Sequence, residues 1–249
     1  MNANKILSTA LLSAVVAASS LAGTCSNSGF YVGVDAAVNF TSMKVESTTT
    51  YEADGEHHKA GQSCTVKKEK VQPAAKIYIG VDKRINDVKI GVDFGFGMDF
   101  GKVKRTYDGW GKDDTKDGRD EVQIKQNWNI SLMPKISYSV LPELELGVTA
   151  GAKLAHFKTT YVDVVPTDAE QDGADSKKCC RIIPVVGCYV LYNFTSNWFA
   201  KLGYEFEIRT KLKMPTSLAE KNEDPGFAGN TSAVKRHTHV VKIGAGYRF

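Results

Sequence analysis

The chain has 249 residues, with 32 Lys and Arg against 28 Asp and Glu, a formal charge of +4. Apolar residues make up 42% and charged residues 24%, which is too apolar for a disordered chain and too evenly charged for a dedicated nucleic-acid binder. Beyond residue 22 no apolar run is long enough to cross a membrane as a helix, and 22 Gly against 7 Pro suit strands that carry glycine in their interior.

Residues 1–22 read as a cleaved export signal. Lys5 supplies one positive charge, residues 6–18 an apolar stretch, and Ser20 and Ala22 the small residues that a signal peptidase needs at −3 and −1. The apolar core is too short, and too diluted by Ser and Thr, for a membrane anchor. Thr24 separates the small-residue box from Cys25 and argues against a lipoprotein. Cleavage leaves residues 23–249 as a single domain and lowers the charge by one.

From there the chain alternates with period two. Phe30, Val32, Val34, Ala36, Val38 and Phe40 oppose Tyr31, Gly33, Asp35, Ala37 and Asn39. Residues 75–81 repeat the pattern. In residues 89–101, Ile90, Val92, Phe94, Phe96, Met98 and Phe100 share one face while Lys89, Asp93, Asp99 and four glycines share the other. A helix would mix these sets and a strand separates them. Residues 126–138, 144–154 and 198–208 follow suit. Residues 182–194 are apolar on both faces, which leaves their register open. The last stretch sets Val241, Ile243, Ala245, Tyr247 and Phe249 against Lys242, Gly244, Gly246 and Arg248. This predicts eight strands.

Short connections (83–87, 139–143, 195–197) alternate with long polar ones (46–70, 105–121, 162–181, 214–236). In an up-and-down sheet that places every long loop at one end and both termini at the other. The predicted fold class is all-β, an eight-stranded antiparallel up-and-down transmembrane β-barrel. The polar faces carry Asp35, Lys76, Asp82, Lys89, Asp93, Asp99, Glu145, Lys153, Lys201, Glu205, Glu207, Arg209, Lys242 and Arg248, both signs interspersed. A soluble ligand-binding barrel turns its apolar face inward. Here the apolar face is continuous, a hazard in water but the surface that lipid requires, and closure satisfies every strand hydrogen bond. The charges are therefore predicted to form a neutralising interior network. Two aromatic girdles fit the same reading: Phe30, Tyr138, Tyr192, Phe194, Trp198, Tyr247 and Phe249 at the short-turn end, and Phe40, Phe100, Trp128 and Phe206 at the other. Gly33, Gly80, Gly91, Gly147, Gly203 and Gly244 recur between apolar residues. They predict a ring of inward glycines near the short turns, leaving space for long Lys, Glu and Arg side chains.

Three segments carry a resemblance. They are Gly29-Phe30-Tyr31-Val32-Gly33 after the signal, Tyr192-Asn193-Phe194-Thr195-Ser196-Asn197-Trp198 around a short turn, and Gly244-Ala245-Gly246-Tyr247-Arg248-Phe249 at the end. Over nearly the whole mature chain the sequence resembles the porin-like small outer-membrane barrels of Gram-negative bacteria, the opacity-protein and OmpA-like transmembrane-domain group. The resemblance implies an outer-membrane location, with extracellular loops and periplasmic termini. It also implies that Tyr247 and Phe249 form the signal read by the barrel assembly machinery. The strand pattern ends at Phe249, so the peptidoglycan-binding role of longer relatives is not expected. The group shares no single activity.

Catalysis is not expected. Lipid-modifying barrels need a Ser/His/acid set at the lipid-facing rim. His156, His237 and His239 have that parity, but no H-x-S pairing occurs and Ser232 lies five residues back in a loop. His57 and His58 could meet His237 and His239 where strands 1 and 8 pair; they read as surface histidines, with no metal or cofactor. Residues 113–121 resemble a calcium loop but lack an acid at the third position. Of Cys25, Cys64, Cys179, Cys180 and Cys188, an odd count leaves a thiol free or paired between chains. Export permits disulfides, and a bond from Cys179 or Cys180 to Cys64 is the preferred pairing. Lys67, Lys68, Lys70, Lys177 and Lys178 are expected to meet phosphates of the outer leaflet. The expected partners are outer-membrane lipid and lipopolysaccharide, the assembly machinery, and a host or cell-surface ligand, with no nucleic acid. The expected role is structural or interactive, through the four long loops. A small porin, a lipid-modifying enzyme and a soluble ligand-binding barrel are the alternatives. Eight strands leave an interior just wide enough for side chains.

Overall fold

Wherever the period-two pattern runs, the chain is extended, and neighbouring strands pair antiparallel. The computed structural model describes residues 28–48, 63–108, 119–164, 175–213 and 231–249. The strands are β1 (Ser28–Thr48), β2 (Ser63–Ile85), β3 (Val88–Asp99), β4 (Val103–Asp108), β5 (Arg119–Ser139), β6 (Leu144–Val164), β7 (Asp175–Asn193), β8 (Trp198–Lys213) and β9 (Thr231–Arg248). Their order is β3-β2-β1-β9-β8-β7-β6-β5-β4, and a further β3–β5 pairing closes the ring. β3 and β4 are two parts of one stave interrupted at residues 100–102, so the closed barrel has the expected eight. The β2–β3 hairpin turns on two residues, Asn86 and Asp87, with Asn86 at φ 57°, a left-handed conformation that asparagine tolerates.

The strands outrun their sequence-predicted limits. β1 continues to Thr48, β7 begins at Asp175 and β9 at Thr231. These extensions are mostly polar, with only Val234 and Cys179 marking an inward apolar face, so the alternation is too sparse to betray the strand. Lys67, Lys68, Lys70, Lys177 and Lys178 consequently lie on strands rather than in loops, and residues 119–121 of the calcium-like segment open β5. The export signal, Cys25, His57 and His58 lie outside the described residues.

Closure is confined to the short-turn end. β7 pairs with β8 from Asn193↔Phe199 only as far as Val185↔Glu207. β2 pairs with β3 from Ile85↔Val88 to Ala74↔Asp99. Beyond those points β7 stays paired with β6, and β2 with β1. The ring thus opens into two four-stranded blades, β2-β1-β9-β8 and β7-β6-β5-β4. On both edges the first residue past the last closing pair is a proline, Pro184 on β7 and Pro73 on β2. Proline has no N–H to leave unpaired and is tolerated at sheet edges. The doubly paired part of β7, residues 185–193, matches the roughly 9–11 residues that a tilted strand needs to cross hydrocarbon.

Register shifts occur between Gln126 and Trp128 on β5 and between Glu207 and Thr210 on β8. Each bulge adds one residue and swaps which parity faces inward. On β5 the buried residues change from Asn129, Ser131 and Met133 to Gln126 and Ile124. On β8 they change from Lys201, Glu205 and Glu207 to Leu212.

The face assignment follows the prediction. Ile182, Ile243 and Phe96 are 71%, 64% and 40% exposed, while Lys201 and Glu205 are 6% and 2% exposed. The inward glycines serve a different purpose from the one expected. Gly33 faces Tyr78, Gly80 faces Tyr31, Gly147 faces Tyr189 and Gly246 faces Phe199, each directly across a strand pair. A Cβ at Gly246 would lie 2.3 Å from the Phe199 ring. The glycines therefore make room chiefly for flat rings; Gly203, beside Lys242, and Gly244, beside Asp35, keep the charged neighbours that were predicted. Gly246→Ala is expected to destabilise the refolded barrel by about 1–3 kcal/mol in urea titration. Much of that loss should disappear in a Phe199→Ala background, a coupling of about 0.5–3 kcal/mol.

Candidate functional site

Four levels of interior side chains fill the lumen. Nearest the short turns, Lys89 and Ser137 hydrogen-bond Glu145, and Asn193 Nδ2 donates to Glu145 Oε1 at 3.1 Å. Arg248 pairs with Asp82 at 3.3 Å. Above them sits an aromatic cluster of Tyr31, Tyr78, Tyr189, Leu191 and Phe199. Tyr31 meets Phe199 edge-on at 5.8 Å and donates its hydroxyl proton to Asp93. Lys135 lies 4.2 Å over the Tyr31 ring and 3.3 Å from Asp93, and Lys201 lies 3.6 Å over the Tyr78 ring. These cation–ring contacts strengthen in a desolvated interior.

The ion pairs then run on without a break. Lys201 and Lys242 flank Asp35 at 3.5 and 3.8 Å. Lys242 also bonds Glu205, and Lys153 approaches Glu205 at 3.4 Å and Glu207 at 2.7 Å. Arg236 reaches Glu207 at 3.5 Å and donates to Gln126 Oε1 at 2.7 Å. Asn39 and Asp99 are buried in the same lumen. Lys76 packs over Gly95 in the same lumen. Removing one partner of such a buried pair is costly because the other charge stays behind, desolvated.

Above the charges the lumen turns apolar. Met43, Val103, Ile124, Ala155, Phe157, Ile183, Leu212 and Val234 form one buried cluster. It draws on both blades and packs them face to face where they are no longer joined edge to edge. The Arg236 guanidinium lies 5.1 Å from the Phe157 ring, linking the ionic level to this cap.

Of the predicted network residues, Asp35, Lys76, Lys89, Asp93, Asp99, Glu145, Lys153, Lys201, Glu205, Glu207 and Lys242 all face the lumen. Arg209 does not. The β8 bulge turns it outward, and it is exposed. Sequence reasoning missed Lys135 and Arg236. Lys135 shares the parity of Asn129 and Ser131 and was available to a parity count; Arg236 fell in a stretch taken for loop. The preferred disulfide is also corrected. Cys179, Cys180 and Cys188 carry free thiols, and β7 is four staves from β2, the strand of Cys64, by either route around the ring.

The rim histidines face outward as expected. His156 stacks on Trp128 at 5.4 Å and bonds Asn127. His239 lies 2.6 Å from Tyr204 Oη and packs on Phe206. Phe30 with Phe249, and Trp198 with Tyr247, form ring pairs at the opposite end.

An apolar exterior, a charged and filled lumen, and closure over one bilayer's worth of strand define a membrane-spanning β-barrel. The outer membrane protein beta-barrel domain family matches residues 8–249. The chain belongs to that family, whose seat is the outer membrane. No curated protein matches it significantly. Among solved structures, Neisserial surface protein A is similar, with 14% identity and a TM-score of 0.42 over 88% of this chain and 97% of that one. Ail, the attachment invasion locus protein of Yersinia pestis, is 15% identical, with a TM-score of 0.32 over 86% of this chain and 98% of that one. The outer membrane protease OmpT from Escherichia coli is 11% identical, with a TM-score of 0.43 over 89% and 97%.

Glu205→Ala should destabilise the folded barrel by about 3–5 kcal/mol, because Lys153 and Lys242 lose their shared carboxylate. Arg209→Ala should change stability by less than about 0.5 kcal/mol. Urea midpoints in a common lipid or detergent check both.

Proposed function

We propose that this protein is a non-conducting outer-membrane anchor that presents its four long hairpins outside the cell for contact with a host, a neighbouring cell or the surrounding envelope. The observation that carries the reading is the filled lumen. A chain of ion pairs from Lys135 to Arg236 lies beneath an apolar cap of Met43, Ile124, Phe157 and Leu212. Ions entering from the loop side meet a dry layer, and those entering from the turn side meet side chains already neutralised by one another. Such packing suits a scaffold better than a channel. In this reading residues 1–22 direct export, both termini and the short turns face the periplasm, and the assembly machinery reads Tyr247 and Phe249. Catalysis has no part in it. His239 is engaged by Tyr204, and His156 by Trp128 and Asn127.

In planar bilayers the purified barrel should give no conductance steps above baseline; regular steps at neutral pH would favour the small porin. Orientation is tested separately with epitope tags. A tag between Asn222 and Glu223 should be reached on intact cells, and one between Thr195 and Ser196 only after the outer membrane is permeabilised. The reverse pattern would invert the proposed orientation.

A further inference from the structure

His237 and His239 stand two residues apart on β9, so their side chains leave the same, outward face of the strand. Thr238 between them points inward and is buried, sharing a 3.2 Å hydroxyl hydrogen bond with Thr41 of β1. That bond pins the stretch of strand that carries the pair. The two imidazoles meet edge to face, with ring centres 5.8 Å apart and planes at 84°. Phe206 of β8 backs both rings, 5.0 Å from His239 and 6.3 Å from His237. Phe206 is the register partner of His239, and the β7–β8 pairing ends one residue further on, at Glu207. The pair therefore sits at the outer edge of the closed ring, where the wall meets water.

This arrangement has the geometry of a chelate. Two imidazoles bound to one tetrahedral ion, with metal–nitrogen bonds of about 2.0–2.1 Å, hold their ring centres about 5 Å apart. The observed pair lies within about 1 Å of that separation. His239 already has its other nitrogen engaged, since Nδ1 lies 2.6 Å from the Tyr204 hydroxyl. With Nδ1–H donating to Tyr204, the lone pair sits on Nε2, the nitrogen left for a metal; a partner of this kind orients most metal-ligating histidines. Glu69 stands opposite Ser42, and Ser42 opposite His237. Serine is too short to screen the carboxylate from the imidazole, and Glu69 favours positive charge at His237. Arg209, turned outward by the β8 bulge, opposes it and sets the site for modest affinity. Among the described residues no three ligating side chains have already converged. The chelate is therefore the two imidazoles, with Glu69 or water filling the remaining positions.

We propose that His237 and His239 form a surface site for a divalent transition metal of borderline softness, Zn2+ or Cu2+, at the outer edge of the barrel wall. Imidazole nitrogen selects these ions over Mg2+ and Ca2+, which demand oxygen. Open coordination positions make the ion exchangeable rather than structural. The site needs neither a sealed lumen nor a particular orientation in the cell, so conductance steps or a reversed tag pattern would leave it standing.

The test titrates the full refolded barrel, free of any polyhistidine tag, with Zn2+ by calorimetry and with Cu2+ by electron paramagnetic resonance. Wild type should bind Zn2+, and its Cu2+ spectrum should carry coupling to two imidazole nitrogens. His237→Asn and His239→Asn should each weaken Zn2+ binding about a hundredfold, because each leaves a single imidazole. Tyr204→Phe should weaken it about tenfold. His156→Asn and the double variant His57→Asn, His58→Asn should bind as wild type does. Heat-modifiable mobility should be unchanged throughout. Wild-type affinity in the double variant His237→Asn, His239→Asn overturns the proposal. So does loss of binding in the His57→Asn, His58→Asn variant with His237 and His239 intact, which would place the metal elsewhere.

Discussion

A backbone amide in hydrocarbon has no water to turn to, and leaving it unpaired costs several kcal/mol. That constraint shapes this molecule at every level. β7 and β8 remain joined for about the depth of a bilayer and then separate. β2 and β3 do the same on the opposite wall. Pro184 and Pro73 stand where an edge amide would first be orphaned. Above those points water can satisfy the edges, and the chain is free to build something other than a cylinder.

What it builds is a pair of facing blades. Their inward residues, Met43, Leu212 and Val234 on one and Val103, Ile124, Phe157 and Ile183 on the other, form a core like that of a small sandwich. Below it the lumen is packed with charge. The two fillings answer different surroundings. Inside the ring no space remains for a broad pore, and long side chains reaching across the axis pair with carboxylates on other walls. Lys153 is an example: it starts on β6 and ends between Glu205 and Glu207 of β8. Such pairs add little to stability relative to a greasy core, but a missing partner is severely penalised. They therefore enforce one strand arrangement. The apolar cap keeps the ionic level dry from above.

Much of this was legible in the sequence. Period-two alternation, the rhythm of short and long connections and the interspersed charges gave the strand number, topology and face assignment. All the predicted lumen charges except Arg209 face inward. The failures share a cause, because a bulge changes parity without altering composition. One extra residue near Ile208 sends Arg209 outward and Leu212 inward, and one near Asn127 brings Gln126 and Ile124 into the lumen. The extensions of β1, β7 and β9 are mostly polar and read as loop, which hid Arg236 and Val234. The glycines were placed correctly on the inner face, but which side chain fills each gap depends on the register. Gly80 and Gly33 are matched to Tyr31 and Tyr78 only when β1 and β2 pair as they do. Two of the three strand prolines carried a usable signal; the third, Pro134, sits inside β5 opposite Val92. Proline within a strand is most at home at an edge, and Pro73 and Pro184 stand at the two edges.

The account is tested most directly by amide hydrogen exchange along β7 in the folded, membrane-embedded protein. Between residues 185 and 193, amides directed toward β6 and toward β8 should be protected alike. Between residues 176 and 183, the set directed toward β6 should remain protected, while alternate amides facing the vacated β8 side exchange rapidly. Uniform protection of both sets up to Lys178 would contradict it, since the ring would then be closed well beyond the bilayer and the two blades would not exist.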